Sequence, residues 1–212
     1  MAAPSDPLPG PSDRAGPTGW LGTAAVLVPV KAFAEAKIRL APAIGPAERA
    51  ALARAMAAGV IAAGRPLPVA VVCDDVEVAQ WARALAALVI WEPGRGLNGA
   101  VEAGVAQLGD AGVERVVVAH ADLPHAAGLG LLAAHPGVTL VPDRQRDGTN
   151  VAVIPAHAGF RFSYGPGSFA RHLLEADRLG LPATVLDDPL LAFDVDWPAD
   201  LDTLAADRAH TP

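Results

Sequence analysis

The sequence predicts an α/β fold with one mostly parallel sheet covered by helices on both faces. Two observations carry this. From Thr23 onward, short continuous apolar runs of buried-strand type alternate with longer segments of helical period. The chain has 212 residues, 52% of them hydrophobic, which suits one medium domain with a sizeable core. Neither an internal repeat nor a second linker interrupts the series, so a single doubly wound domain is expected.

The elements follow in order. The first 22 residues hold five prolines and no apolar h-region, so they read as a disordered tail rather than a signal peptide. The domain is expected over residues 23–206, with a short tail at 207–212. "TAAVLVPV" is the first strand. "GPAERAALARAMAAGVIAAG" is a helix, with Pro46 at its start and Gly64 at its end. "PVAVVC" and "ALVIW" are strands two and three, separated by the helix "DVEVAQWARAL". "LNGAVEAGVAQLGDAG" is the third helix, and "ERVVVAHADLP" is a fourth strand running into a loop. A weak helix covers Leu129 to Ala134. "GVTLVPD" and "NVAVIP" are further strands, "SFARHLLEADRLG" a clear helix, and "PATVLDD" and "AFDVD" short late strands.

Bulk properties exclude several classes. A formal net charge of −7 argues against wrapping nucleic acid, which needs a basic face. No apolar run reaches the roughly 18–20 residues needed to span a bilayer. The one cysteine, Cys73, forbids an internal disulfide and fits a reducing cytoplasm. Cys73 itself reads as a small buried apolar residue.

Ligands of such sheets bind beyond the carboxyl ends of the strands, so the residues there bear on function. After strand one, Lys31, Lys37 and Arg39 form the densest positive cluster of an acidic chain. They either neutralise a polyphosphate or decorate a solvated loop; no glycine-rich phosphate loop accompanies them. After strand two, Asp74 is placed to meet a base or ribose, and Asp75 to cap the next helix. After strand three, Gly96 allows close backbone approach and Asn98 lies at a helix start, suiting a base or sugar or a plain cap. After strand four comes Asp122, a metal ligand or a turn residue satisfying local N–H groups; His120 reads as packed or solvated. Arg144, Arg146 and the Gly148–Thr149 pair follow strand five. Gly165, Gly167 and Ser168 precede a helix, where free N–H groups and the dipole favour an anion, and Ser168 also suits an N-cap.

Asp194 and Asp196 stand two residues apart in the last predicted strand, and so on one face. Either both face water, or a cation lies between them. With Asp122 they form a three-carboxylate set of hard oxygens suited to Mg2+. Zinc-type His/Cys spacing and a G-x-S-x-G elbow are both absent.

Six segments in register, "VPVKAFAEAKIRLAP", "GLNGA", "ADLP", "PDRQRDGTN", "YGPGSFARHLLEA" and "DVDWPADL", resemble the CofC/FbiD guanylyltransferases of coenzyme F-420 biosynthesis. The resemblance runs from about Ala25 to Leu204. It implies a Rossmann-like, MobA-type nucleotidyltransferase fold. It implies transfer of GMP from GTP to a three-carbon phosphorylated acid. Phosphoenolpyruvate is the expected acceptor: the Ala-, Arg- and Gly-rich composition looks like that of a high-GC genome, and enzymes of this family in that group are associated with phosphoenolpyruvate. 2-Phospho-L-lactate and 3-phosphoglycerate are the alternatives. By the same resemblance, Thr149, Gly165 and Ser168 match acceptor positions, and Asp122, Asp194 and Asp196 match acidic metal positions. Lys31 matches the lysine after strand one, with Lys37 and Arg39 in the stretch that follows. A downstream deazaflavin transferase is the implied recipient of the product. Two rival readings are a molybdopterin or sugar nucleotidyltransferase, whose glycine-rich loop is missing here, and a non-catalytic nucleotide-binding module.

Overall fold

The computed structural model describes residues 22–210. The expected N-terminal tail therefore lies, but for Gly22, outside the described residues, as do residues 211–212. Seven strands form one sheet in the order β3-β2-β1-β4-β6-β5-β7. They are β1 (Ala24–Pro29), β2 (Val69–Cys73), β3 (Leu88–Trp91), β4 (Arg115–Ala119), β5 (Val138–Pro142), β6 (Thr149–Pro155) and β7 (Ala183–Val185). Five helices accompany them: α1 (Pro46–Gly64), α2 (Val76–Ala84), α3 (Gly96–Asp110), α4 (Ser168–Arg178) and α5 (Pro198–His210).

Strand period two sorts the core into two layers. Val26, Val28, Val69, Val71 and Val117 face one side, where α1, α2 and the 3-10 turn Leu129–Ala134 cover them. Ala25, Leu27, Ala70, Val72, Val116 and Val118 face the other, under α3 and α4. Strands buried on both sides need apolar residues at every position, which is why β1, β2 and β4 read as continuous apolar runs.

Two features of the topology place the site. The neighbours of β1 are β2 and β4, so the chain winds outward through β3 and then returns to the other side of β1. The switch point of this sheet therefore lies between β1 and β4. The second feature is β6, which pairs antiparallel with both β4 and β5, while every other pairing is parallel. Reversal brings the start of β6, Thr149, to the sheet edge where β4 ends: Ala119 faces Val151, and His120 N–H donates to Asn150 C=O at 3.0 Å.

One expectation is corrected. "AFDVD" alternates half-buried and buried residues but joins no strand. Its Val195 N–H instead donates to Asp122 C=O at 3.3 Å. The last helix, α5, runs to His210. Few apolar residues in "PADLDTLAADRAH" mark this helix, but Leu204 anchors it in a small core with Leu40, Met56, Phe193 and Val195.

Candidate active site

Phe193 and Val195 point into that small core, at 5% and 0% exposure. Alternation along the segment then turns Asp194 and Asp196 the other way, toward Asp122 at the end of β4. Asp200, in the first turn of α5, fixes the segment. One carboxylate oxygen accepts the N–H groups of Asp196 (2.8 Å) and Trp197 (2.7 Å). The other receives Arg144 at 2.5 Å. Sequence reasoning missed Asp200, although a carboxylate in the first turn after Pro198 is a legible signal.

Lys37 stands among the acids. Its Nζ lies 2.5 Å from Asp122 Oδ2 and 2.9 Å from Asp196 Oδ1, and Arg39 reaches Asp196 at 3.1 Å. The Lys37 backbone is left-handed, φ 56°, between two 3-10 turns at Phe33–Glu35 and Ile38–Leu40. A non-glycine residue held there carries strain of the kind that accumulates at functional sites.

The charges of the cluster reinforce one another. Burial would lower the Lys37 pKa, but Asp122 and Asp196 outweigh it and raise the value. Burial would raise that of Asp122, but the Lys37 ammonium outweighs it and lowers the value. The Asp194 carboxylate makes no ion pair among the described residues, and Lys37 only weakly offsets its neighbours. Burial, then the charges of Asp122 and Asp196, push it up to about 6. In this structure a cation does lie between two of the acids, but they are Asp122 and Asp196, and the cation is Lys37. Among the described residues, no three His, Cys, Asp or Glu side chains are arranged to hold a metal ion.

The acids nonetheless suit a hard dication. All their donors are carboxylate oxygens, Asp122 Oδ1 is buried without a hydrogen-bond partner among the described residues, and burial with two neighbouring carboxylates outweighs Lys37 at Asp194. Beside them opens a cleft of about 160 Å3, bounded by Lys31, Phe33, Lys37, Met56, Leu97, His120 and Asp122. Lys31 is exposed and makes no ion pair among the described residues. Burial lowers the His120 pKa, and its ring packs 4.7 Å from that of Tyr164. The packed reading of this histidine therefore holds.

The second half of the site is built by an irregular segment, Arg161–Tyr164, whose four N–H groups all go to side chains. Arg161 donates to Glu175 (2.9 Å), Phe162 to Glu102 (2.9 Å), Ser163 to His172 Nε2 (3.0 Å) and Tyr164 to Asn98 Oδ1 (2.7 Å). The acceptors alternate between α4 and α3, which ties the two helices together. Asn98 is therefore a stitch inside the first turn of α3, not its cap; Arg95 holds the cap position. Gly96, φ 63°, opens that helix. Asp74 is exposed at the end of β2, while Asp75 caps α2 through Val78 N–H at 2.9 Å.

Gly165 (φ 113°) and Gly167 (φ 73°) turn the chain into α4 through conformations that suit glycine. Gly167, not Ser168, is the N-cap. Ser168 N–H bonds Gly165 C=O and Phe169 N–H bonds Asp147 C=O, each at 3.0 Å. Fewer amides are left for an anion at this helix start than its sequence suggests. The same bonds bring Gly165 and Ser168 against the turn that ends in Thr149. Thr149 Oγ1 lies 3.0 Å from Nδ1 of the buried His172, a residue no short-range signal singles out.

The sequence model of guanylyl transferase CofC-like proteins matches residues 24–209. The chain belongs to this CofC-like guanylyltransferase family. It is 36% identical over 199 residues to the phosphoenolpyruvate guanylyltransferase of Sphaerobacter thermophilus, covering 90% of this chain and 95% of that protein. Identity to the protein of the same name in Rubrobacter xylanophilus is 37% over 189 residues, covering 85% and 92%. A CofC-like relative named 2-phospho-L-lactate guanylyltransferase, from Methanothermobacter thermautotrophicus, is 34% identical over 184 residues, covering 82% and 81%.

Solved structures bear out the expected fold. A nucleotidyl transferase from Methanothermobacter thermautotrophicus superposes with a TM-score of 0.63 at 15% identity, over 90% of this chain and 99% of that one. A 4-diphosphocytidyl-2C-methyl-D-erythritol synthase superposes at 0.59 with 14% identity, over 87% and 97%. The CofC-like chain is thus an enzyme of the nucleotidyltransferase class on a Rossmann-like sheet, as its motifs led one to expect.

Proposed function

We propose that this enzyme transfers GMP from GTP to phosphoenolpyruvate, giving enolpyruvyl-diphospho-guanosine and pyrophosphate, within coenzyme F-420 biosynthesis. One observation carries the reading: Asp122, Asp194, Asp196, Lys37 and Arg39 converge at the switch-point edge of the sheet. The names of the Sphaerobacter and Rubrobacter relatives favour phosphoenolpyruvate as acceptor. The archaeal relative makes 2-phospho-L-lactate the alternative, since both acids offer one phosphate and one carboxylate.

An acceptor phosphate oxygen attacks the α-phosphorus of GTP, the α–β bridging bond breaks, and pyrophosphate leaves in line. The nucleophile is already an anion, so catalysis is mainly positioning and charge neutralisation. Lys31, Lys37 and Arg39 neutralise the triphosphate and the departing pyrophosphate. Thr149, Gly165 and Ser168 hold the acceptor. Asp74, Gly96 and Asn98 line the nucleotide side; the Asn98 oxygen is engaged by Tyr164, which leaves its amide N–H groups to donate. Asp122, Asp194 and Asp196 are the residues that would hold Mg2+. When bound, that ion supplies positive charge against the repulsion between two phosphorylated anions. The labile product suits direct hand-off to a deazaflavin transferase, and these soluble phosphorylated substrates fit a cytoplasmic setting. No helix among the described residues is long and apolar enough to cross a membrane.

The test is pyrophosphate release from GTP and Mg2+ with phosphoenolpyruvate, 2-phospho-L-lactate or 3-phosphoglycerate supplied singly, with the deazaflavin transferase and its precursor trapping the product. Release with phosphoenolpyruvate alone is expected. Release with another acid alone reassigns the acceptor. Silence with all three, from folded protein that binds GTP, overturns the reading.

A further inference from the structure

His172 is 0% exposed and sits on α4 among the rings of Phe160, Phe162 and Tyr164, whose centroids lie 5.0–5.9 Å away. Two hydrogen bonds fix its tautomer. A backbone N–H can only donate, so the Ser163 amide at 3.0 Å requires a lone pair on Nε2. The proton of the neutral ring is then on Nδ1, and at 3.0 Å it is donated to Thr149 Oγ1. A threonine hydroxyl has two lone pairs and one proton. Having accepted from His172, the Thr149 hydroxyl cannot spend its proton on the ring, and no acceptor among the described residues takes it.

We propose that His172 is a positioning residue that orients the Thr149 hydroxyl to donate to an anionic oxygen of the acceptor acid. The proposal rests on the acceptor lying at Thr149, as assigned above. A free threonine hydroxyl rotates and offers an anion either a proton or a repelling lone pair; with one of its two lone pairs engaged by His172, fewer orientations turn a lone pair to the anion and more present the proton. The aromatic surround holds the ring in place, and burial pushes its pKa down to about 4, so the same tautomer persists at neutral pH. His172 also carries Ser163, so one ring connects the β6 hydroxyl with the segment leading into Gly165.

The test separates the two ring nitrogens. In His172→Asn the side-chain amide N–H falls near the Nδ1 position and keeps the donor to Thr149. In His172→Gln the amide reaches the Nε2 position, keeping Ser163 and losing Thr149. Steady-state kinetics should show the KM for phosphoenolpyruvate raised ten-fold or more in His172→Gln and less than three-fold in His172→Asn, with the KM for GTP within two-fold of the parent in both. Thr149→Val should match His172→Gln, and adding His172→Gln to Thr149→Val should cost nothing more. Equal losses in the Asn and Gln variants, or additive losses in the double variant, would mean a merely structural histidine and overturn the proposal. An unchanged acceptor KM in Thr149→Val would instead overturn the placement of the acceptor.

Discussion

Lys37 Nζ lies 2.5 Å from Asp122 Oδ2, a contact that spans 85 residues of chain. The same nitrogen lies 2.9 Å from Asp196, so one ammonium holds two acids from two distant segments. It takes the position a dication would be expected to compete for.

Replacing that ammonium should therefore divide two properties. Lys37→Met is expected to lose turnover by about a hundred-fold, since the charge proposed to neutralise the phosphates is gone. In nucleotide-free protein it should bind Mg2+ several-fold more tightly by calorimetry, because the competing cation is removed. Its stability should fall by about 3 kcal/mol in metal-free buffer, with Mg2+ restoring part of it. Unchanged Mg2+ affinity would show that the lysine and the ion do not compete.

Asp194 gives a prediction with a defined sign. Its native pKa, about 6, stands above the ordinary carboxylate value near 3.9. A raised native pKa favours the folded state below the unfolded value, an advantage lost as pH rises through 6. Above that pH a charged Asp194 weakens the fold. Asp194→Asn should gain about 1 kcal/mol at pH 7–8 in metal-free protein, the half-buried setting screening part of the effect, and the gain should vanish toward pH 4. It should also lose most activity. Denaturant titration at the two pH values checks the first claim; normal Mg2+-dependent turnover would refute the second.

His172 acts in the opposite direction. Its native pKa, about 4, is depressed by burial below the ordinary value near 6.5. The unfolded chain takes up the proton first, so the neutral ring's stability is present above pH 6.5 and is lost as pH falls toward 4. The total is on the order of 3 kcal/mol. Because Asp194 opposes it over part of that window, the readout is the difference between parent and His172→Asn, measured by urea unfolding every half pH unit. A flat difference would contradict a buried neutral ring.

Asp200 carries Arg144 and two backbone amides that fix Asp196. Asp200→Ala should cost about 3 kcal/mol, because Arg144 and both amides lose their acceptor together. Asp200→Asn should keep one acceptor oxygen and lose less. Thermal melts rank the three proteins, and kcat should fall in the same order if the anchoring of Asp196 is what matters.

The strands and the first four helices were legible because each carries a local period that burial enforces. Val26 to Val28, or Val116 to Val118, cannot be placed except inside. The misread element, Phe193 to Asp196, has the right alternation but no neighbouring strand, and pairing is not a local property. Helix α5 was passed over because few of its described apolar residues are buried, Leu204 being the fully seated one among them. At the site, the acids at strand ends were visible as residue types. Their meeting with Lys37 was not, since it depends on a left-handed turn and a contact across the fold. Asn98 looked like a cap because caps and stitches use the same short polar side chains. His172 left no mark in the sequence: its partners are a β6 hydroxyl and one backbone amide.

Arg161 to Tyr164 has the composition of a loop, and loops ordinarily absorb insertions and deletions. Here each amide answers to a particular side chain on alternating helices, so adding or removing one residue would exchange the partners of every amide beyond it. Asn98 would face the amide meant for His172, and Gly165 would enter α4 with its neighbours reversed. Over descent from a common ancestor, this stretch should accept changes of letter but not of length, behaving like a sheet strand although it belongs to no sheet.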